Sequence, residues 1–413
     1  MTSPATPLLS ICVPTYNRSR YLASLLDGLA AQLAAFPYPY ELVISDNAST
    51  DDTPAVVARF LDRLPIRSIR HAETIGAGSN VMFVTEQARG RYTAYLADDD
   101  CLLGDSLAEV VATMEADPGI VITYAPWLFF DLVAQQAQGQ FYEVPRDLRV
   151  ERGQHAELLG HVLSHQIFPE IFVTRTDVMK RLMPRINDIA FYAFSQAADY
   201  LTQGAVLIRR RPFYVSITRY FADETRSQQG TSEVEIAWDR YRGGLEYMMA
   251  RAGDRIGMEE RAGLHLRIQH LIAVRMSVAI RLRHVHGKDP LDVHTLAMRL
   301  KGMGYERLLP VPMDVLASKA TLHFLLNDAA LNRGMERLVC VGPFDAHARS
   351  YLTRHAERPV EFVPTLPASL KDAILFVSDR AENSEPSVEE QQARNLHVVR
   401  ERDLCERFDL VAA

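Results

Sequence analysis

Tyr92-Thr93-Ala94-Tyr95-Leu96-Ala97-Asp98-Asp99-Asp100 is an apolar and aromatic run that stops in three consecutive carboxylates. Such a run, closed by polar residues, predicts a buried strand over 92–96 with the acidic triplet at its carboxyl end. The same pattern repeats upstream. Residues 8–13 are an apolar run stopped by Pro14, and Thr15, Tyr16 and Asn17 follow it. Residues 41–45 read as a second strand that leads into Asp46-Asn47-Ala48-Ser49-Thr50-Asp51-Asp52-Thr53. A third, at 66–70, precedes Gly76, Gly78 and Asn80. Between these strands lie helical patterns: Leu22, Leu25, Leu26, Leu29 and Leu33 at helical spacing, then 54–61 and 81–88. Strand-helix alternation predicts an α/β domain with a mostly parallel sheet, whose ligands bind beyond the carboxyl ends of the strands. Every polar cluster named above falls at such an end.

The chain has 413 residues, which suggests two or three domains at roughly 100 to 200 residues each. Hydrophobic residues make up 48% and charged residues 23%, a globular composition. The net charge of −7 provides no global positive field for a polyanion, so nucleic acid is not expected as a partner. Cys12, Cys101, Cys340 and Cys405 lie far apart and read as reduced thiols. The first nine residues lack the pattern of a signal peptide, and no sustained apolar run long enough to span a bilayer occurs. A soluble cytoplasmic protein is the expectation.

Three adjacent carboxylates raise one another's pKa unless a cation offsets them. A hard divalent ion is suited to the task, since Mg²⁺ takes one or two carboxylates together with phosphate oxygens and water. The competing reading is a solvated acidic turn that caps a helix near Ser106. Taken singly, Asp46 reads equally as a turn and helix cap, and Pro14 as ordinary strand punctuation.

Taken in order, residues 13–18 (Val-Pro-Thr-Tyr-Asn-Arg), 45–51 (Ser-Asp-Asn-Ala-Ser-Thr-Asp), Gly76 with Asn80, and 96–100 (Leu-Ala-Asp-Asp-Asp) resemble the family 2 glycosyltransferases of the GT-A fold. The resemblance covers roughly residues 7–225 and is strongest to Leu107. It implies that Pro14, Thr15, Tyr16 and Asn17 form the first nucleotide-contacting loop, that Asp46 recognises the base and that Asn80 shapes the same pocket. By the same resemblance Asp99 is the ligand of Mn²⁺ or Mg²⁺, with Asp98 near the ribose and Asp100 beside the metal. Ala97 stands where the family's first aspartate of this motif is usual.

An inverting transfer needs a base for the acceptor hydroxyl. The segment 196–201, followed by Gly204 and an apolar run, resembles the family's base-bearing region and points to Asp199. Ala198 replaces its usual acidic partner. Glu170 is the second candidate and Asp188 the third. Arg209, Arg210, Arg211, Arg219 and Arg226 are candidates to counter a diphosphate. Tyr124, Trp127, Phe129 and Phe130 could stack on a sugar or belong to the core.

Beyond Gly230 the pattern turns helical, notably over 234–250 and 259–286, and from Met335 it returns to α/β with strands at 338–341, 360–363, 374–378 and 396–399. This predicts three parts: a GT-A catalytic domain over 1–230, a helical assembly region over 231–330 and a small Rossmann-like accessory domain over 331–413. The apolar positions between Leu264 and Leu282 call for cover, by packing against another helix or a subunit of a homo-oligomer or by peripheral contact with the inner face of a membrane. The function expected is metal-dependent transfer of a sugar from a nucleotide-diphosphate sugar to a glycan, lipid-linked or other hydroxyl acceptor. The alternatives are a sugar-1-phosphate nucleotidyltransferase, for which a Gly-rich phosphate loop after the first strand is lacking, and a non-catalytic nucleotide-sugar-binding assembly protein.

Overall fold

A computed structural model describes residues 6–182, 189–223, 234–381 and 386–408. It divides into two compact units: Met1–Gln229 with Ala237–Ile272, and Gly230–Ile236 with Ala273–Ala413.

The first unit opens with β1 (Leu9–Thr15), α1 (Ser19–Gln32), β2 (Tyr40–Asp46), α2 (Thr53–Phe60), β3 (Ile66–Arg70), α3 (Ala77–Glu86) and β4 (Tyr92–Tyr95). Each strand and helix expected over this stretch is present, with ends shifted by a few residues. The leucine stripe explains α1, since Leu22, Leu25, Leu26 and Leu29 are its buried face. Next come β5 (Cys101–Leu102), α4 (Gly104–Ala116), β6 (Ile120–Tyr124), β7 (Trp127–Asp131), β8 (Gln136–Gln140) and β9 (Leu148–Val150). The unit continues with α5 (His155–His165), β10 (Phe172–Arg175), α6 (Thr176–Leu182), α7 (Tyr192–Gln203), β11 (Ala205–Ile208), β12 (Tyr214–Arg219), α8 (Trp238–Ala252) and the first part of α9 (Met258–Val285).

Eight strands form one sheet in the order β3-β2-β1-β4-β10-β6-β11-β9. Strands β10 and β9 run antiparallel to their neighbours, and all the other pairs are parallel. The loops after β1, β2 and β4 therefore leave from one edge, and the residues just before β10 arrive at that edge. A second sheet, in the order β5-β12-β7-β8, begins at the residue after the acidic triplet. The sequence reading contains neither this sheet nor β10, because the strands are short and paired with distant partners.

In the second unit the strands Arg337–Val341, Val360–Val363, Ala373–Val377 and Leu396–Arg400 form a parallel sheet with Arg337–Val341 and Ala373–Val377 central. Leu338, Cys340, Ile374 and Phe376 bury one face of it, and Val339, Val341, Leu375 and Val377 the other. Burial on both faces explains why these strands are continuous apolar runs. The boundary between the units falls inside α9. Leu264, Ile268, Leu271, Ile272, Met276 and Ile280 are buried within the single chain. Leu266 on the same helix is 63% exposed. No described helix is long and apolar enough to cross a membrane.

Gly104 begins α4 directly after β5, and a methyl group there would collide with the backbone carbonyl of Gln32 in α1. Gly28 lies inside α1 with nothing within 4 Å of the same added atom. Gly104→Ala should therefore lower unfolding free energy by about 1–3 kcal/mol, whereas Gly28→Ala should raise it by about 0.5–1 kcal/mol. Urea midpoints at unchanged slope measure both.

Candidate active site

The loops that leave β1 and β2 are locked to each other by their own side chains. Asn17 and Ala48 adopt left-handed backbone conformations, at φ 52° and 63°. For Ala48 this costs about 1 kcal/mol and has to be held by its surroundings. The Asn17 amide donates to Ser49 Oγ at 2.9 Å, and Asn17 Oδ1 accepts from the Thr50 amide at 2.7 Å. Asp51 accepts from the Ser19 amide at 2.9 Å and from the Thr53 hydroxyl. Burial works to raise its pKa, but these hydrogen bonds outweigh burial and hold the carboxyl below its ordinary range.

Asp46 is 2% exposed. Its Oδ1 accepts from the Ser49 amide at 2.8 Å, while Oδ2 faces Arg70 Nε at 3.4 Å and has no hydrogen-bond partner among the described residues. Asn80 faces the strand rather than a ligand: its Oδ1 accepts from Ser45 Oγ at 2.6 Å and its Nδ2 donates to the Ser45 carbonyl at 3.1 Å. Asn80 thus pins α3 to β2. The end of β3 and the segment after it brace the β2 loop, through Arg70 Nη2 on the Ser49 carbonyl at 2.7 Å and the Ile75 amide on Asn47 Oδ1 at 2.8 Å. Arg70 carries no motif of its own, and only the pairing of β3 with β2 brings it to Asp46. Tyr16 is 47% exposed on the first loop.

Each carboxylate of the triplet has a different anchor. Asp98 Oδ2 accepts from Thr15 Oγ1 at 2.7 Å, and Asp99 Oδ2 lies 3.6 Å from Arg18 Nη1. Asp100 accepts from the Tyr214 hydroxyl at 2.7 Å and from the Ile217 amide at 2.9 Å. The Tyr214 hydroxyl itself accepts from the Ala97 amide at 3.2 Å. Both Asp100 oxygens are therefore engaged by β12 in the protein alone. Burial and then the neighbouring Asp99 charge push the Asp100 pKa up to about 7, against the lowering effect of Tyr214 and Ile217.

Glu170 sits in the turn before β10. Continuing the β10–β4 register from Val173↔Ala94 would bring it level with Ala97. The buried Tyr95 phenol reports the same neighbourhood: burial first, then the charges of Asp98, Asp100, Asp99 and Glu170, raise its pKa. Asp199 lies elsewhere. It falls in the C-terminal half of α7, the helix whose end feeds the opposite edge of the sheet at β11. Its carboxylate accepts from the Tyr247 hydroxyl at 2.8 Å and faces Arg251 at 3.8 Å, both on α8. The Asp199 carboxylate is thus engaged by α8, in the half of α7 that leads away from the edge where the β1, β2 and β4 loops gather. Asp188 and Arg226 lie outside the described residues. Arg209 pairs with Asp147 at 3.0 Å and Glu109 at 3.1 Å, and Arg211 also pairs with Glu109, so both serve the scaffold.

Residues 10–176, which hold both loops, the triplet and Glu170, match the family model described as glycosyl transferase family 2. Over these residues the chain is similar to glycosyltransferase family 2. The α/β sheet is the GT-A arrangement that the resemblance implies. Abequosyltransferase RfbV of Salmonella typhimurium is 34% identical over 117 residues, 28% of this chain and 35% of the relative. The poly(ribitol-phosphate) beta-N-acetylglucosaminyltransferase TarS of Staphylococcus aureus is 25% identical over 232 residues, 55% of this chain and 37% of TarS. The chain thus spans about a third of the length of these curated relatives. Among solved structures, residues 1–349 of Staphylococcus aureus TarS in complex with UDP-GlcNAc align with 15% identity and a TM-score of 0.44, over 72% of this chain and 89% of that one. A Pyrobaculum calidifontis mannosyltransferase in complex with GDP-Man and Mn²⁺ aligns with 19% identity and a TM-score of 0.42, over 77% of this chain and 88% of that one.

No cluster of three or more His, Cys, Asp or Glu side chains converges as a metal cage among the described residues. The donor set at the triplet is instead the hard oxygens of Asp98 and Asp99, with Arg18 as the protein's own cation. Such a set fits a divalent ion held by one or two carboxylates together with phosphate oxygens.

The Asp100 anchor gives a pH signature. The folded state keeps the Asp100 proton to about pH 7, whereas an unfolded carboxyl releases it near pH 4. The folded state therefore binds more protons between these values, and Asp100 makes stability fall as pH rises from about 4 to about 7. Tyr214→Phe removes the donor that favours the charged form, and hydrogen bonds to charged groups are the stronger kind. Its stability deficit, measured by urea unfolding in chelator, should be larger at pH 8 than at pH 5. An equal deficit at both would mean that Tyr214 does not serve the Asp100 charge.

Proposed function

We propose that this chain transfers a sugar from a nucleotide-diphosphate sugar to a hydroxyl acceptor, with inversion, and that Glu170 is the base. The observation that carries the reading is the gathering of Asp46, Asp98, Asp99 and Glu170 at one sheet edge of a family 2 domain. The transferases named above support it.

In this reading the buried Oδ2 of Asp46 accepts a hydrogen bond from the donor's base, and it lacks a hydrogen-bond partner until the base arrives. The interlocked loops hold Asp46 in place, so little ordering is left to be done on binding. Asp99, with Asp98 beside it, would hold Mn²⁺ or Mg²⁺, which would supply positive charge against the leaving diphosphate. Thr15 fixes the orientation of Asp98, and Arg18 keeps a positive group on Asp99. Glu170 takes the proton of the acceptor hydroxyl while the acceptor oxygen bonds to the anomeric carbon. The bond from that carbon to the diphosphate oxygen breaks, and its electrons leave with the nucleoside diphosphate.

Calorimetric titration with uridine and guanosine diphosphate should show binding that needs Mn²⁺ or Mg²⁺ and that weakens at least tenfold in Asp99→Asn. Undiminished binding by Asp99→Asn in excess chelator would contradict the metal role. For the base, Glu170→Gln should bind donor normally and lose transfer by on the order of 10²-fold or more, while Asp199→Asn stays within a few-fold of the native rate. The reverse ranking would return the base to Asp199.

A further inference from the structure

The aromatic residues from the end of β6 onward divide between three places. Tyr124 is 1% exposed in the main sheet. Phe130 packs with Val215, Ile217 and Tyr220 on one face of the second sheet. Trp127 and Phe129 are on the other face, because the parallel pairing aligns Trp127 with Tyr214 and Phe129 with Ser216. That face is the one that holds the triplet, since Tyr214 donates to Asp100 and Ser216 also bonds to it. Phe141, just beyond β8, stacks on Trp127 with ring centres 4.2 Å apart and planes at 12°, and Phe129 meets it edge-on at 6.1 Å. Phe141 in turn meets Phe168 at 5.4 Å, two residues before Glu170. Phe129 and Phe141 are each half-buried. Tyr142 follows with a buried hydroxyl that has no hydrogen-bond partner among the described residues and lies within reach of the Glu170 charge.

We propose that Phe129 and Phe141, backed by Trp127, form a platform for one pyranose ring of the acceptor beside Glu170. The placement rests on the reading of Glu170 as base; the chemistry of the surface does not. The negative face of an aromatic ring attracts the weakly positive C–H bonds on the flat side of a sugar ring. An open-chain polyol has no such face, and an alkyl chain would leave the Tyr142 hydroxyl without a polar partner. A surface that is aromatic in the middle and polar at its rim therefore selects a ring sugar.

Trp127 is one of two tryptophans in the chain, so Trp238→Phe leaves it as the only reporter. This protein would be titrated with methyl glucopyranoside, methyl galactopyranoside, methyl mannopyranoside, ribitol and hexanol while Trp127 emission is followed. At least one pyranoside should shift the emission saturably, and ribitol and hexanol should not. Phe141→Leu and Phe129→Leu, which keep the apolar bulk, should each weaken that pyranoside by about 2- to 10-fold, and Phe141→Trp should retain it. The proposal is overturned if no pyranoside titrates, if ribitol or hexanol titrates as well, or if both leucine variants bind as the parent does. Because binding is read without turnover, saccharide binding with no use of any nucleotide sugar would reject the transferase reading and leave the platform standing.

Discussion

Three like charges in successive residues are held in one turn because each is assigned to a different part of the domain. Asp98 is tied to the end of β1 by Thr15, Asp99 faces Arg18 of the following loop, and Asp100 is tied to β12 by Tyr214 and the Ile217 amide. The triplet is thus the joint between the main sheet and the second sheet. Without these partners, mutual repulsion would favour an open, solvated turn. With them, the turn fixes where both sheets present their side chains, and the pocket around Asp46, the Glu170 turn and the aromatic face are all set by that joint.

The three carboxylates also divide the electrostatic work. Asp100 is the structural member, and its raised pKa expresses the cost of burying it beside Asp99. Asp98 and Asp99 lie against the β1 side and present hard oxygens where a metal and diphosphate would sit. Arg18 keeps positive charge on Asp99 in the protein alone, a simple way to hold an acidic turn together before a ligand arrives. The polar loops contribute fixed geometry, since Asn17, Ser49, Asp51 and Thr53 use up one another's hydrogen-bonding groups.

Much of this was legible in the residues. The strands and helices to β4 follow from apolar runs and a leucine stripe, and each polar cluster announces the end of a strand. The terminal sheet was readable for the same reason, as its buried strands are continuous apolar runs. What could not be read depends on pairing between distant segments. Tyr214 and Asp100 meet across 114 residues of chain, and neither carries a local signal for the other. Glu170 reaches the site only because the four-residue β10 inserts antiparallel between β4 and β6. The partners of Asp199, Tyr247 and Arg251, likewise lie about fifty residues away on α8 and carry no local signal for it. The aromatic run after β6 gave no means of telling core from surface until the pairing of β7 with β12 put alternate residues on different faces.

The central claim is that one edge of the first unit, organised by the triplet, is where the nucleotide binds. Amide hydrogen exchange of the full chain, with and without saturating nucleoside diphosphate and Mn²⁺, tests it most directly. Protection is predicted in residues 14–18, 46–50, 70–76 and 97–102, with little change in residues 337–400. Protection centred instead on the loops after Arg337–Val341 and Ala373–Val377, with residues 46–50 and 97–102 unchanged, would contradict it.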